Sequence, residues 1–132
     1  MTEPKNILVV DDDIDLLQQV ALILKGEGYH VVAAQGQKEG EEALLAMIPD
    51  LAVLDLMMEN MDSGFVLCHH VKRLFPETPV ILLTAVKAAT GLDFHPQSGE
   101  AASWIKADVV LDKPVRPEEL RQEVRRLLNG SC

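Results

Sequence analysis

The sequence predicts an α/β protein, a doubly wound (βα)5 three-layer sandwich with a five-stranded parallel sheet between two layers of helices. Short apolar runs of strand length recur five times, and segments with apolar residues at helical spacing alternate with them. Strands that alternate with helices form parallel sheets with helices on both faces. The 132 residues are enough for one such domain and too few for two.

Five segments have the length and composition of buried strands. The clearest is residues 51–55, where four apolar residues run directly into Asp55. Apolar runs without alternation are typical of strands that are buried on both faces of a sheet. The predicted strands are residues 7–10, 29–34, 51–55, 79–83 and 109–111.

The helices are predicted from apolar periodicity and from the residues at their ends. Asp13 can cap the first helix, which we expect to stop at Gly26 or Gly28. A turn signal at residues 62–64 precedes the third helix, and Pro117 suits the first position of the last. The predicted helices are, approximately, residues 14–25, 37–47, 65–75, 99–106 and 117–129.

Composition excludes several classes of partner and location. The net charge of −9 argues against direct nucleic-acid binding and against an anionic membrane surface. No apolar run approaches the ~18 residues of a membrane span, and residues 1–6 lack the apolar core of a signal peptide. Cys68 and Cys132 have neither metal nor redox spacing, which fits a reducing compartment. We therefore expect a cytoplasmic protein.

Polar side chains follow four of the predicted strands at their carboxyl ends, which lie on one edge of a parallel sheet. Asp11 and Asp12 follow the first strand, Asp55 ends the third, Thr84 follows the fourth and Lys113 follows the fifth. Three carboxylates this close repel one another, and Mg²⁺ would relieve the repulsion because it prefers oxygen ligands. A lysine and a hydroxyl beside such an ion can cradle a phosphoryl group, which an aspartate can accept.

With these motifs the chain resembles the receiver domains of two-component response regulators, the CheY-like superfamily. The resemblance covers about residues 5–128 and implies a single receiver domain over residues 1–132. It also implies a flavodoxin-like sheet with strand order 2-1-3-4-5. The matching motifs are Asp11-Asp12, Asp55, Met61-Asp62, Leu83-Thr84-Ala85 and Asp112-Lys113-Pro114.

The resemblance implies a signalling role for three of these residues. Asp55 matches the phosphoacceptor, which takes a phosphoryl group from a sensor histidine kinase or a histidine phosphotransfer protein. Lys113 matches the lysine that contacts the acceptor and later a phosphoryl oxygen, and Thr84 matches the switch hydroxyl. The family implies a phosphoacceptor switch rather than an enzyme, with self-phosphorylation and self-dephosphorylation chemistry, an output partner of unknown identity and compatibility with homodimers.

A Mg²⁺ site is implied by the same resemblance. Asp12 matches the acid that binds the ion directly, and Asp11 matches the acid that usually acts through water. Asp55 and the backbone carbonyl of Met57 complete the expected protein ligands. The bond between Lys113 and the following proline is cis in the family.

The chain departs from the family pattern around this core. Val110 stands where the switch aromatic is usual, and Glu59 stands where proline is usual. The connection between the fourth and fifth strands is enlarged at residues 90–100. Met57 and Val86 are apolar where polar groups can orient an attacking water, so we expect an acyl phosphate that hydrolyses slowly.

Two alternative functions are compatible with parts of the sequence. Asp11 and Asp13 have the D-x-D spacing of haloacid-dehalogenase-type phosphatases, but Asp15 stands where that family has Thr or Val, and Asp55 is left without a role. The other alternative is a receiver-like binding module that acts without phosphorylation. The complete set of phosphoacceptor motif residues argues against it.

Overall fold

The computed structural model of the protein describes residues 4–56, 63–84, 107–113 and 115–129. Within these ranges the chain forms five strands and four helices. The strands are β1 (Asn6–Val10), β2 (His30–Ala34), β3 (Leu51–Asp55), β4 (Val80–Thr84) and β5 (Val109–Asp112). The helices are α1 (Ile14–Gly26), α2 (Gln37–Ala46), α3 (Ser63–Leu74) and α4 (Pro117–Asn129).

All five strands lie parallel in one sheet of order β2-β1-β3-β4-β5. The doubly wound (βα)5 prediction and its 2-1-3-4-5 strand order are therefore confirmed. β3 occupies the centre of the sheet, and every residue of β3 and β4 is buried. This is the outcome that the unbroken apolar runs predict.

Two apolar clusters cover the two faces of the sheet and make the fold three-layered. One cluster includes Ala52 and Leu54 of β3 together with Leu67 and Val71 of α3. The other joins the remaining face of the sheet to α1 and α4, and it includes Leu51, Val53, Leu17, Leu24, Leu120 and Val124. Side chains of β3 therefore alternate between the two clusters, as the two-residue period of a strand requires.

The ends of α1 follow the predicted chemistry. The Asp13 carboxylate accepts hydrogen bonds from the backbone N–H groups of Asp15 and Leu16, at 3.1 and 3.3 Å. These bonds satisfy donors that have no partner inside the helix, as an N-cap does. The helix ends at Gly26, and Gly28 has a φ of 92°, which a residue without Cβ adopts at little cost.

The predicted start of α3 is wrong by two residues. The turn signal at 62–64 placed Ser63 and Gly64 before the helix, whereas both belong to its first turn. Both residues are buried, and Gly64 lies against the chain that leaves β3, so tertiary packing overrides the preference of glycine for turns. The other predicted ends of the described elements agree with the observed ends to within one residue.

Several predictions lie outside the described residues. They concern the helix at 99–106, the enlarged connection at 90–100, the proline after Lys113, and the residues Met57, Glu59 and Val86.

Val110, at the position expected for a switch aromatic, is half-buried against the cluster on the α2–α3 face. Within the ranges given above, none of the helices combines the length and the apolar character needed to cross a membrane.

Candidate functional site

The carboxyl ends of the strands bring the predicted polar residues together. Asp11 follows β1, Asp55 ends β3, Thr84 ends β4 and Lys113 follows β5. The last two are adjacent in the sheet, since Thr84 is in register with Asp112 and its carbonyl accepts the Lys113 backbone N–H at 2.8 Å. Parallel pairing thus places these residues on one edge, as predicted from the strand ends.

Lys113 connects two of the carboxylates. Its ammonium Nζ lies 3.0 Å from Asp55 Oδ1 and 3.4 Å from Asp11 Oδ2. Asp11 and Asp55 are 2% and 3% exposed, so water contributes little to the stabilisation of their charges. One cation therefore serves two buried carboxylates, and the group carries a net negative charge when both are ionised.

The three consecutive acids after β1 have different environments. The buried Asp11 carboxylate accepts the backbone N–H of Asp13 at 2.9 Å, which fixes its orientation. Asp12 is exposed. Asp13 caps α1 and is exposed, so it does not join the buried cluster as the D-x-D reading would require.

A divalent cation could be held at this edge. One carboxylate oxygen from each of Asp11, Asp12 and Asp55 lies within 4.8 Å of the others. Hard oxygen donors and an excess of negative charge are the ligand chemistry that Mg²⁺ prefers, and the exposure of Asp12 leaves room for its waters. The donor set therefore fits the predicted ion, while Met57 lies outside the described residues.

The environment of Asp55 alters its acidity. Burial raises its pKa from the usual 3.8 to about 6; the charge of Asp11 acts in the same direction, and the hydrogen bond from Lys113 opposes the rise. For Lys113, burial lowers the pKa, but the hydrogen bond and charge of Asp55, with the charge of Asp11, outweigh it and leave the pKa raised. At pH 7 Asp55 is thus mostly a carboxylate beside an ammonium.

Gly64 was predicted only as part of a turn, whereas the structure places it against the chain that leaves β3. The Leu56 N–H donates to the Leu83 carbonyl of β4 at 2.8 Å, and the Gly64 N–H donates to the Leu56 carbonyl at 2.8 Å. The chain that leaves Asp55 is thus held between β4 and the first turn of α3. From the sequence it was a glycine in a predicted turn, where glycine is common, so nothing in the pattern indicated a close backbone contact.

The sequence model of the response regulator receiver domain family matches residues 7–125 of this chain. The DNA-binding response regulator MtrA of Mycobacterium tuberculosis is 33% identical over 127 residues, which are 96% of this chain and 52% of that protein. The transcriptional regulatory protein GlrR of Escherichia coli is 35% identical over 132 residues, 98% of this chain and 28% of that protein. The chain thus spans about half or less of these relatives.

Solved structures agree with the sequence comparison. A CheY-like response regulator receiver domain protein from Methanospirillum hungatei has a TM-score of 0.80 and 28% identity, covering 96% of this chain and 95% of that one. The response regulator TrrA from Thermotoga maritima, solved in complex with Mg²⁺-BeF, has a TM-score of 0.75 and 25% identity, covering 93% and 98%. Fold, edge chemistry and sequence similarity therefore agree, and the chain belongs to the response regulator receiver domain family.

Proposed function

We propose that this chain is a phosphoacceptor signalling domain of a two-component system in which Asp55 receives the phosphoryl group. The observation that carries the proposal is the ammonium of Lys113, placed 3.0 Å from Asp55 and 3.4 Å from Asp11 inside a cluster of three carboxylates. A structural cap or turn residue has no need of such a cluster. The Mg²⁺-BeF complex of the TrrA relative supports the same chemistry.

The proposed reaction transfers a phosphoryl group from a histidine nitrogen of the partner to a carboxylate oxygen of Asp55. A carboxylate oxygen of Asp55 attacks the phosphorus of a phosphohistidine on a sensor histidine kinase or a histidine phosphotransfer protein. The N–P bond breaks, its electron pair stays on the imidazole nitrogen, and an O–P bond forms an acyl phosphate. The pKa of about 6 leaves Asp55 mostly ionised at pH 7, as a nucleophile requires.

We assign the stabilisation of the transferred phosphoryl charge to Lys113 and to the proposed Mg²⁺ site. Lys113 is already within ion-pair distance of the acceptor, so its ammonium can contact a phosphoryl oxygen after a small movement. Mg²⁺, held by the carboxylates of Asp11, Asp12 and Asp55 and by the Met57 carbonyl, would neutralise further phosphoryl charge. The same groups support self-phosphorylation from small donors and self-dephosphorylation.

Phosphorylation is proposed to change which partner the domain binds. Thr84 ends β4 beside Lys113, and we assign its buried hydroxyl to the switch that responds to the phosphoryl group. Residues 1–132 form one receiver domain in this proposal, with a core from about 5 to 128.

Incubation with acetyl phosphate and Mg²⁺, followed by intact-mass measurement, tests the proposal. The wild-type chain is expected to gain one phosphoryl group and Asp55→Asn none. Asp50→Asn is the matched control, because Asp50 accepts the Asn6 N–H at the opposite end of the sheet. Equal labelling of wild type and Asp55→Asn would contradict the proposal. No label in either would favour the phosphorylation-independent module, and a label on Asp11 would favour the phosphatase reading.

A further inference from the structure

The first turn of α3 lies directly against the peptide that follows the acceptor. A Cβ built on Gly64 would lie 2.5 Å from the Asp55 carbonyl oxygen, 2.5 Å from Leu56 Cα and 2.9 Å from the Leu56 carbonyl oxygen. All three distances are shorter than the 3.0 Å below which real Cβ contacts essentially do not occur. Only a glycine therefore permits this approach.

The three atoms nearest to an added Cβ at Gly64 cannot rotate away from it, since all three belong to the backbone. Gly40 of α2 is different: its added Cβ would meet side-chain methyl groups of Val10 and Leu67 at 3.1 and 3.2 Å. Those methyl groups can shift by a few tenths of an ångström. At Gly64 either α3 or the Asp55–Leu56 peptide has to move.

The Asp55–Leu56 peptide has little freedom of its own. Leu56 is 2% exposed, and its N–H is bonded to the Leu83 carbonyl of β4 at 2.8 Å. On the opposite side its carbonyl accepts the Gly64 N–H at 2.8 Å. The backbone that carries the acceptor is thus clamped between a core strand and the start of α3.

We infer that Gly64 is a positioning residue for Asp55: its lack of a Cβ lets α3 hold the Asp55–Leu56 peptide where the acceptor carboxylate meets Lys113 and Asp11. The consequence for phosphoryl transfer rests on the function proposed above. The consequence for cation binding does not, because it depends only on the geometry of the carboxylates.

Gly64→Ala tests the inference, with Gly26→Ala as the matched control because an added Cβ at Gly26 meets nothing within 4 Å. Mg²⁺ affinity is measured by calorimetry and labelling by acetyl phosphate at saturating Mg²⁺. We expect Gly64→Ala to lower both the Mg²⁺ affinity and the labelling rate about tenfold or more. A misplacement of ~1 Å can lower a reaction rate on the order of 10²-fold. Gly26→Ala is expected to match the wild type in both.

A spectroscopic measurement separates positioning from general destabilisation. In protein with ¹³C-labelled aspartate carboxyls, the Asp55 resonance is identified by its absence in Asp55→Asn. Gly64→Ala is expected to shift this resonance and leave that of Asp50, at the other end of the sheet, unchanged. A folded Gly64→Ala protein with wild-type Mg²⁺ affinity and an unshifted Asp55 resonance would overturn the inference.

A second variant covers the case in which Gly64→Ala does not fold. Semisynthesis can replace the Gly64 amide by an ester, which adds no side chain, removes the hydrogen bond to the Leu56 carbonyl and places an oxygen opposite that carbonyl. We expect weaker Mg²⁺ binding and a shifted Asp55 resonance, and wild-type values for both would overturn the inference. If the wild-type chain takes no label, the proposed function fails, while Mg²⁺ affinity and the resonance still decide the role of Gly64.

Discussion

The side chain of Lys113 contacts Asp11, 102 positions earlier in the chain, at 3.4 Å. The same ammonium is 3.0 Å from Asp55, so a single cation links the carboxyl ends of β1, β3 and β5. Asp11 and Asp55 are almost fully buried, whereas the Lys113 side chain is 21% exposed. The stability of the domain and the chemistry of its site therefore depend on the same three charges.

Removal of this ammonium is expected to destabilise the fold. Lys113→Met leaves two buried carboxylates without a counter-charge, and we expect the free energy of unfolding at pH 7 without Mg²⁺ to fall by about 3 kcal/mol. Urea unfolding measures the change. Asp55 has a pKa of about 6 and needs no counter-charge once it is protonated, so the loss should shrink as the pH is lowered toward 4.

The control for this prediction is Lys38→Met, since Lys38 is exposed on α2. Its free energy of unfolding should stay within about 0.5 kcal/mol of the wild type. Addition of Mg²⁺ should restore part of the stability lost by Lys113→Met. A loss that is unchanged by both pH and Mg²⁺ would contradict the electrostatic explanation.

The raised pKa of Asp55 predicts that its ionised carboxylate destabilises the folded chain, to an extent that depends on pH. The folded chain holds this proton with a pKa of about 6 instead of the usual 3.8. The associated stabilisation is therefore fully present below pH 3.8 and is lost as the pH rises through about 6. Asp55→Asn lacks this titration, so its free energy of unfolding should rise relative to that of the wild type as the pH increases across the same range.

We expect Asp55→Asn to be more stable than the wild type by about 1–3 kcal/mol at pH 7 without Mg²⁺, from ~1.4 kcal/mol per pKa unit. The gap should nearly close at pH 3.5. Urea unfolding at a series of pH values measures it, and Glu42→Gln, an exposed change on α2, is the control. A gap of the opposite sign at pH 7, or one independent of pH, would refute the prediction.

Mg²⁺ is expected to stabilise the folded chain, because the unfolded chain has no assembled carboxylate cluster. At a Mg²⁺ concentration of 100 times the dissociation constant, the gain is about 2.7 kcal/mol, and a chelator should reverse it. Thermal unfolding across a Mg²⁺ series measures the gain. Asp12→Asn should reduce it, since Asp12 supplies one of the three clustered oxygens.

The neighbouring acid gives a matched control for Mg²⁺ binding. Asp13→Asn alters the cap of α1, but Asp13 lies outside the carboxylate cluster, so the Mg²⁺-dependent gain should persist. An equal gain in wild type and Asp12→Asn would argue that the ion binds elsewhere. Loss of the Mg²⁺-dependent gain in Asp13→Asn would show that the site has been assigned to the wrong acids.

Sequence patterns could predict the site because parallel pairing determines where strand ends meet. An apolar run that stops at Asp55 implies the position of its carboxylate, and the same argument places Asp11 and Lys113. The unequal environments of Asp11 and Asp12 could not be predicted in this way, because they depend on how the chain turns into α1. The close approach of Gly64 depends on a helix-to-strand distance that periodicity does not contain.

The bridge formed by Lys72 and Asp108 was also beyond the sequence patterns, and it yields the last prediction. Lys72 Nζ donates to Asp108 Oδ2 at 2.9 Å and to the Thr78 carbonyl at 2.7 Å, while the Val80 N–H donates to Asp108 Oδ2 at 2.8 Å. One carboxylate thus ties α3 to the starts of β4 and β5. Its position at the amino edge of the sheet separates it from the acceptor site.

Asp108→Ala should lower the free energy of unfolding by about 1–2 kcal/mol, because it leaves the Val80 N–H and the Lys72 ammonium without this acceptor. The value is modest because the Asp108 side chain is 39% exposed and water screens its charge. Urea unfolding measures it, with Glu77→Ala as the control, because Glu77 is exposed in the α3–β4 connection. Labelling by acetyl phosphate should persist in folded Asp108→Ala protein, since no bond of Asp108 reaches the acceptor. Loss of labelling without loss of stability would show that the two ends of the sheet are coupled.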